Sequence, residues 1–111
     1  MEIDLSEWPE GVDPPQNKYK KYVIVTARVH PGETCASFII QGFLDFICSD
    51  KPEAVDLRRR FVFKIVPMIN PDGVIAGNYR SSISGNDLNR RFLQPDPKLH
   101  PEVTALRRLV G

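Results

Sequence analysis

Two apolar runs in this chain are long, rich in β-branched side chains and almost unbroken. They cover residues 22–29 and 61–69. A strand with one solvated face would alternate apolar with polar residues, whereas a strand buried on both faces reads as a continuous apolar run. We therefore predict two strands over these residues, each buried on both faces.

Between the runs, apolar side chains recur three and four residues apart, which predicts a helix over residues 35–48. Pro52 favours the start of a short second helix that includes residues 53–57. Strand, helix and strand in this order form a βαβ unit, whose strands run parallel and are joined by a right-handed crossover. The predicted fold class is α/β.

Residues 70–94 form a long, glycine-rich connection, and residues 100–110 predict a final helix. A connection of more than about a dozen residues in a compact domain is usually functional or disordered. Apolar anchors within this one favour an ordered, functional loop. The anchors are Val74, Ile75, Ile83, Leu88 and Phe92.

Composition limits the possibilities further. The chain has 111 residues, 41% of them hydrophobic and 26% charged, as expected for one small globular domain. Residues 1–21 are polar and proline-bearing, so we predict a leader or linker there. The net charge of +1 gives no reason to expect nucleic acid or an anionic membrane as the main partner.

The chain has two cysteines, Cys35 and Cys48. Their spacing fits neither a disulfide framework nor a zinc knuckle, which favours a reducing, intracellular compartment. We predict that Cys35 is a small buried hydrophobe. No signal peptide or membrane-spanning run is visible, so a soluble protein is expected.

The candidate chemistry begins at His30 and Glu33, directly after the first strand. Imidazole and carboxylate are ligands that Zn²⁺ accepts, and Pro31 and Gly32 place the pair on a bend. The turn at residues 70–73 follows the second strand, and ligands of parallel sheets bind beyond the carboxyl ends of the strands. A metal site at this edge is one interpretation; the other is a capped helix start with an exposed imidazole.

Three polar residues of the long loop, Arg80, Asn89 and Arg90, should face this pair. The planar guanidinium groups of two arginines and a neighbouring amide suit a substrate with a free carboxylate beside a polarised carbonyl. Alternatively, the two arginines pair with Asp72 and Asp87 and stiffen the loop. Spacing alone does not decide between these interpretations.

Three segments, at residues 27–34, 63–74 and 77–91, closely resemble the cytosolic carboxypeptidases. These are zinc metallocarboxypeptidases whose members remove glutamates from the C-terminal tails and side chains of tubulin and other proteins. The resemblance extends over roughly residues 22 to 102, in order and with unbroken spacing. It implies a partial zinc-carboxypeptidase-like domain with a parallel βαβ core.

The resemblance also implies roles for individual residues. His30 and Glu33 match two of the three zinc ligands. Arg80 matches the arginine that polarises the scissile carbonyl and steadies the oxyanion. Asn89 and Arg90 match the pair that binds the terminal carboxylate of the substrate. We therefore expect zinc as the cofactor and a cytoplasmic location. The expected partners are protein or peptide C-terminal tails, such as those of polyglutamylated tubulin.

Other family features have no counterpart in the sequence. The third zinc ligand, a histidine, and the general base, a glutamate, are expected further along than Gly111, as is the basic residue that selects a glutamate side chain. Residues 1–21 cannot supply the β-sandwich domain that precedes the catalytic domain in the family. His100 matches a helix start rather than a ligand. We therefore interpret residues 22–111 as the N-terminal part of a catalytic domain that, alone, binds zinc weakly and hydrolyses no peptide.

Two other classes remain open. One is an aspartoacylase-type zinc amidohydrolase, which hydrolyses a small N-acyl amino acid at a similar site. The other is a non-catalytic fragment or interaction module. The turn at residues 70–73 and the string at residues 87–91 favour the peptidase.

Overall fold

The computed structural model describes residues 20–111. Of the predicted leader, residues 1–19 lie outside the described residues, and Lys21 is the first residue of β1. The elements in chain order are β1 (Lys21–Thr26), α1 (Thr34–Ile47), α2 (Pro52–Arg60), β2 (Phe61–Val66), α3 (Pro71–Ala76), a 3-10 helix (Leu88–Arg90) and α4 (Pro101–Val110).

The two strands are parallel neighbours, as predicted, paired from Lys21 with Phe61 to Thr26 with Val66. Both are shorter than predicted, because the regular pairing ends at Thr26 and Val66 and slips by one residue over Pro67 and Met68. The two segments nevertheless continue side by side. The Ile69 N–H donates to the Ala27 carbonyl at 3.0 Å, and the Asn70 N–H donates to the Arg28 carbonyl at 3.3 Å. The turns after β1 and β2 therefore leave the sheet at the same edge.

Helices lie against both faces of β2. Phe63 meets Phe43 of α1, with ring centroids 6.1 Å apart. The next residue, Lys64, points to the other face, where its Nζ donates to the Leu109 carbonyl of α4 at 3.1 Å. The main core cluster lies on the α4 side and contains Ile69, Leu88 and Val103, with Val29, Val66, Phe92 and Leu106 packed against it.

The predicted burial of both strand faces is wrong. Every residue of β2 is only partly buried, and Lys21, Tyr22 and Thr26 of β1 are exposed. Within residues 20–111 the sheet has two strands, so β1 has a neighbour on one side only. A cavity of about 390 Å³ also lies between β1 and α1.

The long connection is ordered, and it contains a helix that was not predicted. Asn70 caps α3 by accepting a hydrogen bond from the Gly73 N–H at 3.0 Å, and Pro71 occupies the first turn. Of the expected anchors, Leu88 is fully buried, but Ile75 and Ile83 are 84% and 66% exposed. Gly73 faces inward. Ile75 lies two positions further along the helix, a rotation of about 200° about the helix axis, and therefore faces solvent.

The expectation that Cys35 is buried is also wrong, since both cysteines are exposed. The buried side of α1 is set by Ile40 and Ile47. Five residues separate Cys35 from Ile40, a rotation of about 140° to the opposite side of the helix. Within residues 20–111, no helix combines the length and apolar character needed to span a bilayer.

Candidate metal and substrate site

The turn between β1 and α1 brings His30 and Glu33 together. Nδ1 of His30 lies 2.9 Å from Oε1 of Glu33. The His30 side chain is only 9% exposed, whereas that of Glu33 is 54% exposed. Glu33 precedes the first residue of α1 but makes no side-chain capping bond. The alternative of a capped helix start with an exposed imidazole is therefore wrong.

Asp87 joins this pair to the long loop. Its Oδ1 lies 2.9 Å from Nε2 of His30, and its Oδ2 accepts a hydrogen bond from Nε of Arg80 at 2.7 Å. Oδ1 also accepts the backbone N–H of Asn89 at 3.0 Å. Burial raises the pKa of Asp87, but the hydrogen bonds from His30, Arg80 and Asn89 outweigh it and lower the pKa to about 2. Asp87 is therefore ionised at neutral pH.

The ionised Asp87 assigns a proton to Nε2 of His30. A carboxylate only accepts hydrogen bonds, so Nε2–H donates to Asp87, and Nδ1 then faces Oε1 of Glu33. Two acceptor atoms 2.9 Å apart attract a proton or a metal cation between them. Metal-binding histidines commonly donate their second N–H to a carboxylate in this way. His30 and Glu33 therefore fit zinc as two of its ligands.

A third ligand is not found in the part of the chain that the structure describes. No group of three or more His, Cys, Asp or Glu side chains within residues 20–111 is placed to hold a metal ion. His100 has a different function, since its Nδ1 accepts the backbone N–H of Asp96 at 2.9 Å at the start of α4.

Close backbone packing places Arg80 beside the turn. The Gly32 N–H donates to the Tyr79 carbonyl at 2.6 Å. A Cβ on Gly32 would lie 2.5 Å from Cδ2 of Tyr79 and 2.6 Å from its carbonyl oxygen, so only glycine permits this approach. The fully buried Asn70 supports the packing, with Nδ2 3.4 Å from the carbonyls of Val29 and Ser81.

The 3-10 helix carries the other two predicted residues, Asn89 and Arg90. Asn89 lines the cavity that Glu33 also borders. Arg90 is exposed, and its side chain makes no hydrogen bond or ion pair within residues 20–111. The structure thus joins His30 to Glu33 and to Asp87, and Asp87 to Arg80. Asn89 lies at the cavity that Glu33 borders. The Arg90 N–H donates to the Asp87 carbonyl at 3.1 Å, but the Arg90 side chain makes no bond to this group within residues 20–111.

Asp87 is the residue of the candidate site that the sequence pattern did not single out. It was considered only as an ion-pair partner that stiffens the loop, and the Arg80–Asp87 pair does exist, at 2.7 Å. The described residues contain no corresponding pair between Arg90 and Asp72. A signal was available, because a histidine that binds a metal usually needs a carboxylate for its second nitrogen.

Comparison with known proteins points to one family. A model of the zinc carboxypeptidase family matches residues 5–105. Cytosolic carboxypeptidase 1 of Mus musculus is 52% identical over 88 residues, which cover 79% of this chain and 7% of the relative. Cytosolic carboxypeptidase 6 of Mus musculus is 53% identical over 91 residues, which cover 82% of this chain and 17% of the relative.

Solved structures of metallo-carboxypeptidases share the fold of this chain. A metallo-carboxypeptidase from Burkholderia cenocepacia superposes with a TM-score of 0.81 at 36% identity, covering 89% of this chain and 27% of that one. One from Pseudomonas aeruginosa superposes with a TM-score of 0.77 at 32% identity, covering 85% of this chain and 25% of that one. The chain thus spans a minor part of the proteins it matches, and within that part the fold is mixed α/β with parallel strands.

Proposed function

The chain belongs to the zinc carboxypeptidase family, and we propose that it supplies the first part of a catalytic site that removes C-terminal residues from proteins. The observation that carries this proposal is the arrangement at His30. One ring nitrogen lies 2.9 Å from a carboxylate oxygen of Glu33, and the other lies 2.9 Å from the ionised Asp87. These distances support His30 and Glu33 as two ligands and Asp87 as the group that orients His30.

His30 and Glu33 would hold zinc, which activates a water molecule and polarises a peptide carbonyl when bound. Asp87 keeps Nε2 of His30 protonated, so that Nδ1 stays free to act as a ligand. The third ligand and the general base are proposed to come from chain outside residues 20–111. This proposal rests on the family and on the incomplete ligand set among the described residues.

Arg80 is proposed to stabilise the developing oxyanion. Asp87 engages its Nε at 2.7 Å, which fixes the plane of the guanidinium and leaves the Nη donors for a substrate. The side chain is 49% exposed, so a substrate can reach it. A single donor of this kind is worth about 10²–10³ in rate.

Asn89 and Arg90 are proposed to bind the terminal carboxylate of the substrate. The exposed Arg90 keeps its planar fork free of partners within residues 20–111, which suits bidentate binding of a carboxylate. The identity to cytosolic carboxypeptidases supports a cytoplasmic location. The resemblance of the three motifs further supports terminal glutamates as the residues removed and acidic protein tails, such as polyglutamylated tubulin, as substrates.

The activity can be tested in a chimera. The 91 residues of Mus musculus cytosolic carboxypeptidase 6 that align with this chain are replaced by those of this chain. Glutamate release from a peptide ending in several glutamates is then measured. We expect release by the chimera, loss of release with His30→Ala, and a decrease of about 10²–10³ with Arg80→Ala.

Two controls accompany this test. Arg59→Ala removes an exposed arginine from the last turn of α2 and should leave release unchanged. The same peptide with an amidated C-terminus should not be cleaved, because it lacks the carboxylate. A folded, zinc-loaded chimera that releases no glutamate would contradict the proposal, as would equal cleavage of the amidated peptide.

A further inference from the structure

Arg28 has an unusual backbone conformation just ahead of the ligand-bearing turn. Among residues 20–111 it is the only residue other than glycine with a positive φ, 55°. A side chain with a Cβ is disfavoured in this left-handed conformation. Such residues persist where the surrounding structure holds them, and they cluster at functional sites. Contacts with the surrounding structure must therefore hold Arg28 in this conformation.

Hydrogen bonds on both sides provide the cause. The Arg28 carbonyl accepts the N–H of Asn70 at 3.3 Å, and the preceding carbonyl, of Ala27, accepts the N–H of Ile69 at 3.0 Å. Ile69 and Asn70 are themselves buried. The backbone of Arg28 is thus fixed to the segment that follows β2.

The consequence is the direction of the side chain, which reaches forward over the turn. Nε donates to the Pro31 carbonyl at 2.9 Å, and Nη1 donates to Oγ of Ser37 in α1 at 2.7 Å. Pro31 lies between the two proposed zinc ligands in sequence. One guanidinium therefore connects the end of β1, the ligand-bearing turn and the first turns of α1.

We propose that Arg28 is a positioning residue of the metal site, which holds the Pro31 carbonyl so that His30 and Glu33 converge. The inference rests on the proposed function, since it takes zinc as the metal. The expected change in zinc affinity on loss of Arg28 is opposite in sign to the change that electrostatics alone would give. A positive charge near a divalent cation opposes binding, so loss of the charge alone would tighten zinc binding. Loss of the positioning contacts would weaken it.

The test uses the full chain, Zn²⁺ alone as probe, and four variants. Arg28→Gly removes the side chain while allowing the left-handed backbone. Arg28→Lys keeps the charge but not the two-pronged geometry, and Ser37→Ala removes one acceptor. Arg59→Ala is the control for a change in charge elsewhere. Zinc affinity is measured by competition with a chelating dye, and exchange of the Gly32 and Glu33 amide hydrogens is followed without metal.

We expect Arg28→Gly to weaken zinc binding by about tenfold, within the range for residues that support metal ligands. Amide exchange at Gly32 and Glu33 should accelerate, and the melting temperature should stay close to that of the parent chain. Arg28→Lys should resemble Arg28→Gly, Ser37→Ala should have a smaller effect in the same direction, and Arg59→Ala should have none.

Unchanged or tighter zinc binding by Arg28→Gly, with parent-like amide exchange, would overturn the inference. If Arg28→Gly fails to fold, the decision passes to Arg28→Lys and Ser37→Ala, and parent-like affinity in both would overturn it. His30→Ala separates the two proposals. If that variant binds zinc as the parent does, the proposed function fails, whereas amide exchange in Arg28→Gly still tests whether Arg28 holds the turn.

Discussion

The two histidines of this chain are buried to nearly the same extent, with exposures of 7% for His30 and 5% for His100, yet their surroundings differ in kind. His30 has a carboxylate oxygen 2.9 Å from each ring nitrogen, from Glu33 on one side and Asp87 on the other. His100 accepts a backbone N–H from Asp96 through Nδ1, and its buried Nε2 has no partner within residues 20–111.

Burial therefore does not distinguish a metal ligand from a structural histidine, but the partners of the two ring nitrogens do. Carboxylates on both sides of His30 hold the ring in place, with Nδ1 directed at Glu33 and Nε2 at Asp87. A backbone donor at Nδ1 of His100 selects the same Nε2–H tautomer, but it occupies the lone pair that a metal would need. The surroundings of His30 therefore suit metal binding, whereas those of His100 close the turn before α4.

The largest effect expected from this comparison is on zinc binding. His30→Ala should weaken binding more than 100-fold, beyond the range of about 10–100-fold found for residues that only support a ligand. His100→Ala should leave the affinity for zinc unchanged. Isothermal titration of both variants with Zn²⁺ checks the difference, and equal losses in the two variants would remove the distinction between the histidines.

Substitution of Asp87 should have the next largest effect. In Asp87→Asn the amide NH₂ can donate to Nε2 of His30, which moves the ring proton to Nδ1 and blocks the proposed ligand atom. We expect zinc binding to weaken by about 10–100-fold. Asp45→Asn, an exposed change on α1, is the matched control. Parent-like zinc binding by Asp87→Asn would show that Asp87 does not orient the ring.

His100 should matter for stability instead. His100→Ala leaves the Asp96 N–H without its acceptor and should lower the free energy of unfolding by about 1–3 kcal/mol. His100→Asn retains an acceptor near the position of Nδ1, so its loss should be smaller. Urea denaturation monitored by circular dichroism measures both. Equal stability of the parent and His100→Ala would mean that this hydrogen bond contributes nothing.

The smallest effect concerns pH. Hydrogen bonds from the backbone N–H groups of Lys98 and Leu99 lower the pKa of Asp96. The stabilisation is therefore present above the ordinary aspartate pKa and is lost as pH falls through the lowered one. Asp96→Asn can accept the same bonds without titrating, so its melting temperature should fall less than that of the parent in acid. Parallel melting curves would contradict this account.

Some of this structure could be predicted from the sequence because it depends on short-range patterns. The apolar runs gave two parallel strands, and parallel strands bring the turns at His30 and Asn70 to one edge. The six-residue helix after Asn70 was too short for a periodic pattern, although an Asn-Pro start was present as a capping signal.

The contact between His30 and Asp87 spans 57 residues, and no local pattern encodes it. The left-handed conformation of Arg28 depends on bonds formed by the segment after β2, which sequence spacing does not reveal either. The fold around the candidate site was therefore easier to predict than the hydrogen bonds that orient its side chains.

The central claim is that His30 offers Nδ1 to zinc while Asp87 holds Nε2–H. Long-range ¹H–¹⁵N spectra of the histidine rings, recorded on the ¹⁵N-labelled chain before and after addition of Zn²⁺, test it most directly. We predict that zinc shifts the Nδ1 signal of His30, that Nε2 of His30 remains protonated, and that the signals of His100 do not move. Zinc bound at Nε2 of His30, or at His100, would contradict the claim.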